Sequence, residues 1–286
     1  MSKQIICVCG AGTMGSGIAQ AAAQSGFSTV LYDVNAPVLM RAREAMEKSL
    51  SGLVAKGKIS AAEKDAIWQR IQFTGDSNAC RAGIIIEAVV ERLEIKTDLL
   101  HQLAAINDDQ CIFATNTSSL SVTAIAEKIS APERVAGMHF FNPATIMKLV
   151  EVVKTKYTSE KTIQAITQLA VQMGKTPVVC NDSPGFIVNR VARPFYIESL
   201  RIAEEESNNF SQVDRLMESA GFKMGPFRLM DLIGNDVNYA VSCSVYEQLN
   251  HPGRLKPSYI QEQYVQEKKW GRKSGEGYYS YNNPQQ

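Results

Sequence analysis

Residues 5–15 read Ile5-Ile6-Cys7-Val8-Cys9-Gly10-Ala11-Gly12-Thr13-Met14-Gly15. An apolar, strand-like run ends there in G-x-G-x-x-G, and a helix-forming run from Ser16 to Gln24 follows at once. The glycine pattern alone is weak, but closing a strand and opening a helix makes it a dinucleotide-binding turn. Gly10 permits the tight turn, Gly12 lets the backbone approach a pyrophosphate, and Gly15 lets helix and strand pack closely. Thr13 and Met14 complete the turn, where the free N–H groups and positive end of the helix favour phosphate.

Working outward, Gly26 sits where a helix C-cap is wanted, and a second strand, Ser28 to Tyr32, ends at Asp33. A carboxylate there accepts hydrogen bonds from the adenosine ribose hydroxyls and repels a 2′-phosphate. Val34 and Asn35 supply no cation for such a phosphate, so the expected cofactor is NAD rather than NADP.

Further strand-like runs at 83–90, 111–115, 135–140, 147–153 and 176–180 alternate with amphipathic segments such as 93–106 and 160–173. That alternation specifies a parallel sheet covered by helices. Residues 37–72 carry no strand signal and read as two helices around Lys56-Gly57-Lys58, a helical arm. After Pro184-Gly185 only helical patterns remain: 187–207, with Pro194 predicting a kink, then 211–220, 228–250 and 257–269. The expected fold is α/β: a Rossmann-type, mostly parallel sheet with its helical arm over residues 1–185, and an all-helical C-terminal domain over 186–286. The helical domain is small enough to require burial against the first domain or a partner subunit.

The 286 residues exceed one average core, and a formal net charge of +1 gives no reason to expect a nucleic-acid partner or an anionic membrane surface. No apolar run approaches the ~18 residues of a membrane span. The chain passes from Met1-Ser2-Lys3 straight into the first strand, without the apolar stretch of a secretory signal. Six scattered cysteines include Cys7 and Cys9, but no second pair completes a zinc set. They read as buried thiols of a reducing compartment, so no metal is expected and the cytoplasm is the expected location.

Chemistry concentrates at the carboxyl ends of the later strands. A lone histidine on an apolar strand, such as His139 in Gly137-Met138-His139-Phe140, is by default a satisfied core residue. Glu151, inside Lys148-Leu149-Val150-Glu151-Val152-Val153, is odder, because a carboxylate in an apolar strand is costly to bury without a partner. The two strands are consecutive, so the residues are placed to face each other. A carboxylate on one ring nitrogen fixes the tautomer and leaves the other nitrogen as a proton acceptor. Thr115-Asn116-Thr117-Ser118-Ser119 ends a strand at the same edge and either caps the next helix or holds a substrate oxygen. Asn189, just past Ser183-Pro184-Gly185-Phe186, is either a cap or a cleft residue at the domain junction. Glu91 and Lys96 follow the strand ending at Val90, as a solvated pair or as ligand contacts.

These segments resemble the L-3-hydroxyacyl-CoA dehydrogenases, above all the small bacterial 3-hydroxybutyryl-CoA type. The resemblance rests on Gly10–Gly17 (GAGTMGSG), Glu87–Glu91 (EAVVE), Asn116–Leu120 (NTSSL), Gly137–Pro143 (GMHFFNP), Lys148–Val152 (KLVEV), Ser183–Arg190 (SPGFIVNR), Met224-Gly225-Pro226, Asp231–Gly234 and Gly271–Tyr278 (GRKSGEGY). It implies that His139 is the general base, Glu151 its partner carboxylate, and Ser118 and Asn189 holders of the reacting oxygens. It also implies Glu91, Lys96, Asn116 and Asn142 as cofactor contacts, Lys56 near a CoA phosphate, and a homodimer formed through the helical domain. Gly52 stands where a second arm lysine is expected. The stretch 224–245 is similar to the branch that oxidises 3-hydroxyadipyl-CoA in phenylacetate degradation. Two other readings are a dehydrogenase of free 3-hydroxy acids, related to the gulonate type, and a non-catalytic NAD-binding structural protein.

Overall fold

The computed structural model describes residues 4–205 and 209–281. The chain divides into two compact units, 1–183 and 184–286. The expected helix end at 206–207, Met1–Lys3 and the last residues, 282–286, lie outside the described residues.

The first unit follows the order β1 (Ile6–Cys9), α1 (Thr13–Gln24), β2 (Thr29–Tyr32), α2 (Ala36–Ala55), α3 (Ala61–Gln69), β3 (Ile71–Thr74), β4 (Ile84–Glu87), α4 (Leu93–Ile106), β5 (Ile112–Thr115), α5 (Val122–Ala126), β6 (Val135–Phe140), β7 (Leu149–Lys154), α6 (Glu160–Gln172) and β8 (Thr176–Asn181). The strands form one sheet in the order β3-β2-β1-β4-β5-β6-β7-β8. Every neighbouring pair is parallel except β6 and β7. Strand order reverses between β1 and β4, and the carboxyl edge at such a reversal is where open α/β sheets bind ligands. β1, β2, β4, β5 and β6 are buried along their whole length, as strands covered on both faces must be.

The segment 37–72 departs from its expected all-helical form. Its helices are present, α2 capped by Asn35 and α3 opened by a Ser60–Glu63 capping box. The segment then ends in β3, an edge strand paired with β2 through Thr29↔Ile71 and Leu31↔Phe73. Ile71-Gln72-Phe73-Thr74 is only four residues long and buries fully at Ile71 alone, so its apolar signal is short. The arm is also anchored: Met46 and Leu50 of α2 are buried in the main core, and Gln20 of α1 donates to Ser49 at 3.0 Å.

The second unit comprises α7 (Val188–Glu205), α8 (Phe210–Ser219), α9 (Pro226–Ile233), α10 (Asn235–Gln248) and α11 (Tyr259–Gln266). The helix expected over 228–250 is two helices, broken at Gly234, whose φ of 103° lies in the region that favours glycine. Tyr196, Leu200, Phe227, Met230, Ile260 and Tyr278 form its core. Two buried carboxylates tie its pieces together. Asp214 accepts from the Phe227 and Arg228 amides at the start of α9 and from the Tyr279 hydroxyl. Asp231 accepts from the Tyr278 and Tyr279 amides and the Tyr281 hydroxyl. Burial raises the pKa of both carboxyls against those hydrogen bonds.

Candidate active site

The turn after β1 is shaped by what a side chain would strike. A Cβ on Gly10, at φ 99°, would meet the Ala88 carbonyl oxygen at 2.5 Å, and one on Gly15 would meet the Gly10 oxygen at 1.8 Å. A Cβ on Gly12 would meet nothing within 4 Å, so this glycine leaves open space beside the helix start. Gly12 caps α1 without any side-chain hydrogen bond to the first-turn amides. Thr13 is exposed and Met14 half-buried at that end. Open space, uncapped N–H groups and a helix dipole together fit a pyrophosphate. Asp33, at the end of β2, accepts the Ala11 amide at 2.8 Å and the Asn35 amide at 2.9 Å. Each carboxylate oxygen retains a lone pair for a further donor.

β6 and β7 run antiparallel with His139 directly opposite Glu151. The antiparallel turn-back brings Glu151, early in β7, to the same sheet edge as the ends of β5 and β6. His139 Nδ1 lies 2.7 Å from Glu151 Oε2, and both residues are buried, at 5% and 1% exposure. The carboxylate holds the Nδ1 proton, which leaves Nε2 as the ring's acceptor. The Phe141 ring packs against the imidazole with centroids 4.6 Å apart, restricting its rotation.

A second polar network supports the loop after β5. Glu91 Oε1 accepts from the Thr117 hydroxyl at 2.5 Å, the Ser118 amide at 2.9 Å, and the Ser119 amide and hydroxyl at 3.2 and 3.0 Å. Its other oxygen lies 3.1 Å from Lys96 Nζ. Burial pushes the Glu91 carboxyl up, but the Lys96 charge and the hydrogen bonds outweigh it and hold the pKa below its ordinary value. Asn116 is turned inward at its Oδ1, which accepts the Phe140 amide at 2.8 Å and ties the end of β5 to β6.

Lys96 is 1% exposed, with Nζ 2.7 Å from Glu87 Oε1. Whatever it contributes to a ligand passes through the two carboxylates that enclose it. Glu87, fully buried, also accepts the Val89 amide and, on its other oxygen, the Thr115 hydroxyl, each at 2.7 Å. Glu87 is absent from the expected site residues. Its signal was the same as that of Glu151: a carboxylate closing the apolar strand Ile84-Ile85-Ile86.

Asn142 is exposed just past β6, and Lys56 is exposed at the C-cap of α2, beside Gly52, which has open space around it. Asn189 lies in the second unit, on the first turn of α7, where its carbonyl accepts from Arg193 Nε at 2.9 Å. Arg193 is 2% exposed and also donates to the Asn238 carbonyl and the Ser242 hydroxyl.

Residues 5–183 match the NAD binding domain of 3-hydroxyacyl-CoA dehydrogenase, and residues 185–281 match its C-terminal domain. The chain is 45% identical over 283 residues to the 3-hydroxyadipyl-CoA dehydrogenase of Escherichia coli, covering 98% of this chain and 60% of that protein. It is 40% identical to a probable 3-hydroxybutyryl-CoA dehydrogenase of Deinococcus radiodurans, over 96% of this chain and 99% of that one. Among solved structures, a 3-hydroxybutyryl-CoA dehydrogenase from Escherichia coli superposes with a TM-score of 0.94 at 44% identity, covering 100% of this chain and 61% of the other. The (S)-3-hydroxybutyryl-CoA dehydrogenase of Ralstonia eutropha gives 0.92 at 34% identity, over 98% and 99%.

Proposed function

The chain belongs to the 3-hydroxyacyl-CoA dehydrogenase family, and from that premise we propose that it oxidises a short-chain (S)-3-hydroxyacyl-CoA to the 3-oxoacyl-CoA, reversibly, with NAD. The observation that carries this is the buried His139–Glu151 pair at the sheet edge shared with the glycine turn. NAD, when bound, supplies the hydride acceptor. His139 takes the 3-hydroxyl proton on Nε2, and Glu151 stabilises the imidazolium that results. Ser118, whose amide is fixed by Glu91, offers its hydroxyl to the reacting oxygen. Asn189 is assigned to the same oxygens, and Asn116 and Asn142 to the cofactor side.

The preferred substrate is 3-hydroxybutyryl-CoA, with Lys56 toward the CoA phosphates. A second reading, 3-hydroxyadipyl-CoA, is favoured by the relative of that name at 45% identity. NADH oxidation measured with acetoacetyl-CoA and with 3-oxoadipyl-CoA separates the two. Absence of turnover with both would refute the proposal.

No helix among the described residues is long and apolar enough to cross a membrane. A cytoplasmic location is supported by six cysteines none of which forms a disulfide. We place a homodimer interface on the helical unit, supported by exposed Phe222, Leu216 and Tyr259, at 50%, 70% and 61%. Sedimentation at the monomer mass would refute it.

A further inference from the structure

A cluster of thiols lies on the face of β1 opposite the one that packs into the α1-side core. Ile6 and Val8 face that core, and Cys7 and Cys9, offset by one, point the other way. Cys80, which follows the short turn Ser77–Ala79 beyond β3, reaches the same spot. All three residues are fully buried, and the Cys7 and Cys9 sulfurs are 3.8 Å apart. The three sulfurs lie within 4.8 Å of one another, and no other group of three acidic, histidine or cysteine side chains among the described residues gathers as closely. Three sulfur ligands around one ion, with metal–sulfur bonds of about 2.3 Å, place their sulfurs about 4 Å apart. Among the described residues, no fourth ligand of the kind a closed tetrahedral zinc site needs joins the set. Soft sulfur ligands favour cuprous ions, zinc and iron–sulfur clusters, and of these a set of three without a fourth ligand suits the cuprous ion.

We propose that Cys7, Cys9 and Cys80 form a binding site for a soft monovalent cation of the cuprous class. Uptake of the ion breaks two S–H bonds and releases two protons to solvent. Two thiolates then bind the ion, the remaining thiol is a neutral third ligand, and no electron moves. One positive charge enters as two leave, so the occupied cluster carries a single negative charge and retention of the ion should weaken as pH falls.

The site is coupled to the glycine turn. Cys9 is bonded to Gly10, and its carbonyl accepts the Ala88 amide at 2.7 Å. Drawing the sulfurs onto a common ion therefore pulls on the strand end that positions the turn, and NADH affinity reports occupancy.

The test uses reduced protein under argon, with Cu(I) held in competition by a chromogenic cuprous chelator. It is run on native protein and on protein refolded with the ion present, so that burial does not block entry. One ion per chain should be retained in the refolded sample. Cys80→Ser, and Cys80→Ala as a variant that buries no hydroxyl, should weaken retention at least tenfold. Cys180→Ser and Cys243→Ser, at the half-buried thiols outside the cluster, should leave it unchanged. The loaded chain should bind NADH severalfold more weakly by fluorescence titration. No retained ion in either sample, or retention that survives both Cys80 variants, would overturn the site. A retained ion with unchanged NADH affinity would overturn its coupling to the turn. The copper stoichiometry stands apart from the catalytic reading.

Discussion

His139 and Glu151 occupy one register position across the antiparallel β6–β7 pair, with Nδ1 and Oε2 2.7 Å apart. The strand reversal fixes their separation through backbone hydrogen bonds, so the imidazole is oriented before any ligand arrives. Glu151→Gln preserves volume and removes the charge that stabilises an imidazolium. A hydrogen bond to a charged group contributes about 1.5–3 kcal/mol, so kcat should fall by roughly 10- to 100-fold while NADH affinity is unchanged. Steady-state kinetics paired with an NADH titration check this. Equal losses in both would point to a structural role instead.

The glycines of the turn divide by what surrounds them. Gly15→Ala forces a Cβ onto the Gly10 carbonyl and should cost about 1–3 kcal/mol or more of stability. Gly12→Ala meets only open space, so its melting temperature should match the parent while NADH affinity falls at least tenfold. Thermal melts with and without NADH distinguish the two. A Gly12→Ala chain that binds normally would show that no phosphate approaches there.

Lys96 and Glu87 form an ion pair that both residues bury almost completely. Removing one partner strands the other, which costs about 3–5 kcal/mol. Lys96→Met should therefore lower stability by that amount, and Lys96→Met combined with Glu87→Gln should recover part of the loss. Urea unfolding of the three chains measures it. A double variant no better than the single would mean that the bonds Glu87 accepts from the Val89 amide and the Thr115 hydroxyl outweigh the pair.

Glu91 gives the pH dependence. Its folded pKa is depressed below the ordinary 4.5 because the Lys96 charge and the loop hydrogen bonds outweigh burial. A depressed carboxyl stabilises the fold above its unfolded pKa, and that contribution is lost as pH falls through the folded value. The gap in melting temperature between the parent and Glu91→Gln should stay constant from about pH 8 to 5 and shrink progressively as pH falls below the ordinary carboxyl value. A gap that widened on acidification would contradict the assignment.

How much of this was legible in the sequence varied with the range of the interaction. The strand–turn–helix from Ile6 to Gln24 is local, and its glycine spacing carries its own geometry. β3 was missed because a four-residue edge strand buried fully at one position makes little periodic signal. The break at Gly234 was hidden because its flanks, Pro226–Ile233 and Asn235–Gln248, are each helical and only the φ of one residue separates them. Cys80 could not be joined to Cys7 and Cys9 before the sheet order was known. Glu87 was within reach: it carries the cue that singled out Glu151, a carboxylate in a run of isoleucines, but its partners Lys96 and Thr115 come from a helix and a neighbouring strand.

In the proposed reaction His139 removes the substrate proton. The most direct measurement is NADH-dependent reduction of acetoacetyl-CoA by the parent chain and by His139→Gln, with NADH affinity determined for both. The parent should turn over, the variant should lose about 10²- to 10⁴-fold in kcat, and NADH affinity should be equal in the two. Near-parental turnover by a folded His139→Gln chain would contradict it.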